Sequence, residues 1–426
     1  MAHTASSNPE APRPLSTGDQ LILACLWLAY NVQWGALLFI VLPPQVAAIV
    51  GEASKESWLA VVLPAGALVS MIVTPIAGAL SDRCRRPEGR RRPFLIAGMV
   101  INVLFLLGMA TCGKGSNVFL FTLLFAGVQF GCNWWGGPYA GLLPDVVPTE
   151  QIGRASGYQA LMTALGTVVG AIAGSALAVD GNFMPVYLFI IVVLVVSLVL
   201  TLVRIREPVV TTPVEKFEIA AFARSFIVDP VTHRNFYWVL ITRAMICMGV
   251  YSISPYFQYF LQDVIKVGNP ASATSTLMVV IIGMGIPTSV IAGDLSDKHG
   301  RKPLVYLSGT VMALACAVYV GVSFYPSYAL TLLVAAFYGI GNGAYTAVDW
   351  ALALDVLPSG EDAARDMGIW HVALVLPQVI APAITGVILG TLKATSLTLG
   401  YTAVFGLATI WFVVGTVLVR QVRGVR

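Results

Sequence analysis

Residues 78–93 read GALSDRCRRPEGRRRP and join two long apolar segments. A shorter version, GDLSDKHGRKP, occupies residues 293–303 in the second half of the chain. Short loops rich in lysine and arginine stay on the cytoplasmic side when a membrane protein inserts into the bilayer. Two such loops in matching places predict a duplicated membrane unit, with the loop of each repeat in the cytoplasm.

The composition excludes an ordinary soluble protein. Of the 426 residues, 57% are hydrophobic and 11% are charged, and the mean hydropathy is +0.82. Segments of about 20 apolar residues, long enough to cross a hydrocarbon core of roughly 30 Å, occur twelve times. We predict membrane-spanning helices at residues 20–44, 57–81, 93–112, 117–144, 154–178, 184–204, 235–262, 273–294, 302–324, 328–354, 367–391 and 397–420.

The distribution of cations predicts the orientation. With the N-terminus inside, the cytoplasmic segments hold 20 of the 25 lysines and arginines, and the outer loops hold only Lys55, Lys114, Lys266 and Lys393. The net charge of +4 therefore reflects the cytoplasmic loops and requires no nucleic acid partner. We predict a multi-pass protein of the plasma (inner) membrane with both termini in the cytoplasm.

The chain divides into two similar halves. Asp82 matches Asp297 at an offset of 215 residues, and Asp145 matches Asp355 at an offset of 210. We predict a disordered cytoplasmic tail at residues 1–19, a six-helix bundle at 20–204, a cytoplasmic linker at 205–234 and a second six-helix bundle at 235–426. The six cysteines show no metal or redox spacing. We therefore expect no disulfide, metal or cofactor.

At these motifs the chain resembles the major facilitator superfamily over nearly its whole length. The resemblance implies an all-α membrane protein with twelve transmembrane helices in two pseudo-symmetric bundles, which expose a central site to the two faces alternately. We expect the acidic residues of the loops to pair with arginines and to gate the cytoplasmic face; the alternative is that the arginines only set the topology. The predicted gating residues are Gly78, Asp82, Arg83, Gly89, Arg90, Asp145, Gly293, Asp297, Gly300, Arg301 and Asp355.

Three segments are similar to the plant sucrose transporters and their animal and bacterial glycoside-transporting relatives. They are the long form of the first basic loop at residues 81–94, NWWGGP at 133–138 followed by LLPD at 142–145, and VQWG at 32–35. This resemblance implies proton-coupled symport of a neutral sugar or glycoside. Where the plant transporters have an arginine after the Gly-Pro pair, this chain has Ala140, so the role of that arginine does not carry over.

Only three titratable residues are predicted to lie deep in the membrane. They are Arg243, Asp349 and His371, all in the second half. An ionised group in the hydrocarbon region costs about 2.5–3.5 kcal/mol by insertion scales, so such residues need partners or water. We predict that Asp349, with Arg243 and His371, couples transport to protons. The alternatives are a structural pair between Arg243 and Asp349 and a buried histidine without function.

Polar residues at helical spacing on several helices predict an aqueous path inside the bundle. The predicted substrate-binding residues are Asn31, Trp34, Gln129, Asn133, Gln159, Tyr251, Gln258, Asn342, Trp350 and Gln378. Further aromatic residues, Trp134, Trp135 and Tyr256, are available to stack on a sugar. Alternatively, the amides only bond neighbouring helices and the tryptophans anchor the membrane interface.

The preferred function is thus secondary active transport of a small molecule by a monomer in a lipid bilayer, driven by the proton gradient, with sodium as the alternative ion. A proton-coupled efflux antiporter of amphiphilic compounds or drugs is the main rival. A membrane enzyme or a sensor is a weaker one, because the chain lacks HExxH, GxSxG and phosphate-loop motifs and has no long output domain.

Overall fold

The computed structural model describes residues 14–179, 181–207, 233–356 and 363–422. The predicted N-terminal tail and the predicted linker fall largely outside these ranges. The side chains of Trp350, Asp355, His371 and residues 363–368 also lie outside the described part of the structure.

Twelve helices within the described ranges are long and apolar enough to cross a membrane, which confirms the predicted fold class. They are α1 Thr17–Val50, α2 Lys55–Asp82, α3 Arg92–Ala110, α4 Val118–Val146, α5 Thr149–Leu177, α6 Met184–Arg204, α7 Arg234–Asp263, α8 Pro270–His299, α9 Arg301–Phe324, α10 Tyr328–Asp355, α11 Ala363–Leu392 and α12 Leu397–Gln421. Their outer surfaces expose large apolar side chains such as Leu104, Phe119 and Val290. A bilayer would cover these side chains.

The first helix is longer than predicted. It continues to Val50, whereas the sequence predicts an end at residue 44. Pro43 and Pro44 lack the N–H that an α-helix needs, but a π-helical turn at Leu37–Val41 precedes them, and they occupy the first turn of the segment Leu42–Val50. Proline is tolerated in a first turn because the N–H there has no intrahelical partner.

Helices α1–α6 and α7–α12 form two bundles. In the first bundle α1 packs on α5 and α6, and α4 packs on α2 and α3; in the second α10 packs on α8 and α9, and α12 packs on α7 and α9. The close contact of α1 with α5 needs glycine, because a Cβ on Gly170 would lie 2.3 Å from the backbone oxygen of Val32. The bundles meet through α2 with α11 and α5 with α8.

Successive helices run in opposite directions, so the loops that follow even-numbered helices share one end of the molecule. We call this the basic end; it carries both basic loops, at residues 83–91 and at Gly300. The opposite end, which carries the loops at residues 51–54, 264–269 and 393–396, is the far end. The central cavity described next lies between the two bundles.

Candidate functional site

A cavity of ≈ 200 Å³ lies between the bundles. Its lining comes from α1, α2, α4, α7 and α11: Leu38, Phe39, Leu63, Ala67, Phe125, Gln129, Val250, Tyr251, Ser254, Pro255, Gln378 and Pro382. None of these described lining residues is a lysine, arginine, aspartate, glutamate or histidine. A wall with a few hydroxyl and amide groups among apolar and aromatic surfaces suits a neutral molecule with hydrogen-bonding groups.

Three of the predicted substrate-binding residues, together with Ser254, supply the polar part of this wall. Gln129 belongs to the first bundle, and Tyr251 and Gln378 belong to the second. Nε2 of Gln378 donates a hydrogen bond to the hydroxyl of Tyr251 at 3.0 Å. The structure therefore brings side chains of both bundles, distant in sequence, to one cavity.

A fourth predicted residue, Asn133, lies behind the wall. It is 5% exposed, and its Oδ1 accepts a hydrogen bond from Ser70 Oγ at 3.0 Å and lies 2.9 Å from Thr74 Oγ1, both on α2. Its Nδ2 donates to the backbone oxygen and to Oε1 of Gln129 at 2.7 and 3.0 Å. Asn133 thus contacts the cavity only through Gln129.

The other predicted binding residues are not among the cavity's lining. Trp34 packs edge-on against Phe125; Asn31 donates a hydrogen bond to the backbone oxygen of Trp27 on its own helix. Gln258 is buried with an unpartnered Oε1. Gln159 lines a separate small cavity near the basic end, Asn342 is half-buried on α10, and the side chain of Trp350 lies outside the described residues.

The aromatic residues proposed to stack on a sugar also have structural partners. Trp134 stacks on Phe94 and Phe130, and Trp135 is fully buried. The hydroxyl of Tyr256 donates to the backbone oxygen of Pro382 at 2.7 Å. Helical periodicity indicates which face a residue shares but does not distinguish a cavity wall from an interface between helices.

Arg243 on α7 and Asp349 on α10 form a buried ion pair. Oδ1 of Asp349 also accepts a hydrogen bond from the hydroxyl of Tyr345 at 2.9 Å. The guanidinium of Arg243 lies 4.1 Å from the ring centroid of Trp370 on α11, which is a cation–π distance. The pair is thus held by groups from three helices; Arg243 is eight residues, or about 12 Å, from Tyr251 along α7.

Burial of titratable residues is not confined to the three predicted ones, because Lys55 and Glu56, at the start of α2, are 1% and 0% exposed. Lys55 Nζ lies 2.8 Å from Asp263 of the second bundle, and Lys393 of the second bundle lies 2.6 Å from Glu56. We call these four residues the far-end network. The sequence predicts that Lys55 and Lys393 lie in outer loops and gives no sign of their partners, which are distant in the chain. In the structure Lys55 is the first residue of α2, which begins earlier than predicted.

At the basic end the structure brings together Asp82, Arg90 and Asp145, and it adds Arg91, which the sequence analysis did not single out. Arg90 pairs with Asp145, and Arg91 lies 2.6 Å from Asp82 and 2.9 Å from Asp145. All four belong to the first bundle. Arg83 donates to the backbone oxygen of Ala79.

The second basic loop repeats part of this arrangement. Arg301 pairs with Asp297 and donates to Ser296 Oγ at 2.6 Å, as Arg91 bonds Asp82 and Ser81 in the first loop. Gly89 and Gly300 have φ of +123° and +92°, a region that favours glycine. A Cβ on Gly78 or Gly293 would meet nothing within 4 Å. The side chain of Asp355 lies outside the described residues.

Glu207 ties the first basic loop to the end of α6. Its two carboxylate oxygens accept hydrogen bonds from the backbone N–H groups of Arg91 and Arg92, at 2.7 and 3.0 Å. These donors begin α3, where backbone N–H groups lack helical partners. Burial raises the pKa of the Glu207 carboxyl.

Comparison with known proteins identifies the fold. A family model described as "Major Facilitator Superfamily" matches residues 22–363 and 288–424. The chain superposes with a TM-score of 0.74 on a bacterial homologue of the human lysosomal transporter Spinster in an inward-facing, unoccupied conformation, at 14% identity over 95% of this chain and 97% of that one. It superposes with the same TM-score of 0.74 on a point mutant of the nucleoside transporter NupG, at 11% identity over 95% of this chain and 100% of that one.

Curated relatives include both sugar and drug transporters. The chain is 32% identical to the sucrose transport protein SUC4 of Arabidopsis thaliana over 40% of this chain and 36% of that protein. It is 24% identical to a multi-drug resistance efflux pump PmrA homolog of Lactococcus lactis over 85% of both chains. The chain thus spans about a third of the length of the sucrose transport protein and most of the length of the efflux pump.

Proposed function

The chain belongs to the Major Facilitator Superfamily, and from this premise we propose that it is a proton-coupled symporter of a neutral sugar or glycoside. The observation that carries the proposal is the central cavity, with two amides, a tyrosine hydroxyl and a serine hydroxyl among aromatic and apolar side chains and no charged residue in its described lining. Hydroxyl groups of a sugar match such amides, and the apolar faces of a sugar ring match the aromatic surfaces.

Asp349 is the proposed proton carrier. It faces Arg243 and Tyr345 in a buried site, so its negative charge depends on these partners. When a change in the bundle arrangement moves Arg243 away, the carboxylate takes a proton, and it releases the proton when the pair re-forms. This cycle links protonation to conformation, which is what symport requires. His371, on the neighbouring helix α11, remains a predicted member of this site.

Alternating access is proposed to use the far-end network. At the far end, ion pairs join the two bundles: Lys55 pairs with Asp263, and Glu56 pairs with Lys393. We assign the basic end to the cytoplasm because cationic loops remain inside. In this proposal the far-end network must separate before substrate can enter from outside.

We place the protein in the plasma (inner) membrane with both termini in the cytoplasm, and we propose that it works as a monomer. The proton gradient is the proposed energy source, with sodium as the alternative to be tested.

Efflux of amphiphilic compounds is the second candidate function. It is favoured by the similarity to the PmrA homolog, which spans 85% of both chains, more than the similarity to the sucrose transport protein does. The apolar share of the cavity wall also fits an amphiphilic ligand.

Proteoliposomes with an imposed pH gradient separate the two functions. We expect radiolabelled sucrose or an aryl glucoside to accumulate with the proton gradient, and a lipophilic cation such as tetraphenylphosphonium not to be driven against it. Proton-driven movement of the cation without sugar flux would establish the efflux function instead. A sodium gradient at constant pH tests the coupling ion.

A further inference from the structure

Asn133 has no hydrogen-bonding capacity left for a substrate. An asparagine side chain has two donor hydrogens and an acceptor oxygen with two lone pairs. Both hydrogens are directed at Gln129, and the oxygen lies within 3.0 Å of the hydroxyls of Ser70 and Thr74. A residue so satisfied and 5% exposed can influence a ligand only by holding a neighbour.

The neighbour is Gln129, and its orientation follows from these contacts. Because Asn133 bonds Oε1 of Gln129, Nε2 is the atom left to face the cavity that Gln129 lines. Gly66 on α2 provides the necessary space, since a Cβ there would lie 2.9 Å from Cγ of Gln129 and 2.4 Å from the ring of Phe125. The α4 wall therefore presents a hydrogen-bond donor.

The opposite wall presents an acceptor. Nε2 of Gln378 donates one of its two hydrogens to the hydroxyl oxygen of Tyr251, and Oε1 is the acceptor that this amide offers to a ligand. The tyrosine hydroxyl keeps its hydrogen. Since Gln378 lies on α11 and Gln129 on α4, a bound molecule contacts one amide from each bundle.

We propose that Asn133 is a positioning residue that fixes Gln129 with its amide nitrogen towards the cavity, and that the site thereby distinguishes the hydroxyls of its substrate. This inference rests on the proposed function and deepens it. The substrate is a neutral polyhydroxylated molecule with one hydroxyl that accepts from Gln129 and another that donates to Gln378.

Sucrose analogues test the two kinds of hydroxyl. Replacing a hydroxyl by fluorine keeps a weak acceptor but removes the donor, whereas replacing it by hydrogen removes both. At one position of the sugar we expect the deoxy analogue to bind the wild-type protein about tenfold more weakly than the fluoro analogue. At another position we expect both analogues to bind on the order of 100-fold more weakly than sucrose. Isothermal titration in nanodiscs gives these ratios.

Variants show which residue causes each of the two hydroxyl preferences. In Asn133→Leu the Gln129 amide can turn. The ratio of the dissociation constants of the deoxy and fluoro analogues at the first position should therefore fall towards one, while both analogues at the second position should still bind weakly. Gln378→Leu should remove the penalty at the second position only. Asn102→Leu is the matched control, because it removes a buried amide bond to Gln33 in the same bundle, and neither residue belongs to the described lining of the cavity. It should lower the unfolding temperature and leave both ratios unchanged.

A cryo-EM structure of Asn133→Leu provides a measurement that needs no ligand. The Gln129 carboxamide should leave its wild-type orientation. The same orientation in variant and wild type, or unchanged analogue ratios, would overturn the positioning role. If the wild type binds tetraphenylphosphonium and no sugar, the proposed function and the substrate class fall together, while the orientation of Gln129 still decides the role of Asn133.

Discussion

Removing one member of the far-end network should open the far end. Lys393→Met leaves the carboxylate of Glu56 without its partner at a position that is 0% exposed. Leaving a buried charge unpaired costs about 3–5 kcal/mol, and the cost disappears when the bundles separate and water reaches Glu56. Since ~1.4 kcal/mol corresponds to tenfold, the equilibrium between the closed and the open far end should shift towards the open state by a factor between roughly one hundred and a few thousand.

Spin labels measure this shift. Labels on cysteines introduced at Lys114 and Tyr325, in exposed far-end loops of the two bundles, should show a longer distance in Lys393→Met by double electron–electron resonance. Lys266→Met, an exposed lysine of the same end, is the matched control and should leave the distance unchanged.

The double variant Glu56→Gln with Lys393→Met tests the cause. It removes the unpaired charge, so the distance distribution should return most of the way to that of the wild type. A Lys393→Met protein with the wild-type distance distribution would refute the reasoning, because it would mean that the ion pair does not hold the bundles together. An equal opening in the double and single variants would attribute the effect to lost packing instead of charge.

Three further variants test other parts of the molecule. Gly66→Ala should push the ring of Phe125 into the cavity, because the new Cβ would lie 2.4 Å from it; sucrose affinity should fall at least about tenfold by titration, and unchanged affinity would contradict the cavity assignment. Asp349→Asn should abolish pH-driven accumulation in proteoliposomes and retain counterflow exchange, and accumulation at the wild-type rate would exclude Asp349 as the proton carrier. Arg91→Lys should lower the unfolding temperature by several degrees because one ammonium cannot replace the two guanidinium nitrogens that contact Asp82 and Asp145, whereas the exposed control Arg86→Lys should not.

The sequence predicted the elements that depend on local pattern. Apolar length identified twelve helices, and the repeated basic loop identified the duplication. In the structure the repeat includes individual contacts: Arg91 and Arg301 bond equivalent serine and aspartate residues at the ends of α2 and α8. Such contacts join residues close in the chain, so the pattern indicates the loop that makes them, although it singles out Arg90 and not Arg91.

The far-end network and the cavity could not be predicted in the same way. Lys55 and Asp263 are 208 residues apart, and no local signal indicates that a lysine beside a loop will be buried by a partner in the other bundle. Helical spacing placed Asn133 and Gln129 on one face correctly, but hydrogen bonds decide which of them faces a ligand. These features depend on how the two bundles and the neighbouring helices pack.

Among the described residues, the charged groups named above are not part of the cavity's lining, and this separation bears on the proposed mechanism. The cavity wall is neutral, the far-end network closes one side of it, and the Arg243–Asp349 pair lies about two turns of α7 from Tyr251. A neutral substrate in such a wall cannot attract or repel the proton site strongly through its own charge. Under the proposed function, coupling therefore passes through the bundle arrangement: we expect a ligand that bridges Gln129 and Gln378 to favour one arrangement of the bundles, and the same arrangement to determine whether Arg243 stays with Asp349.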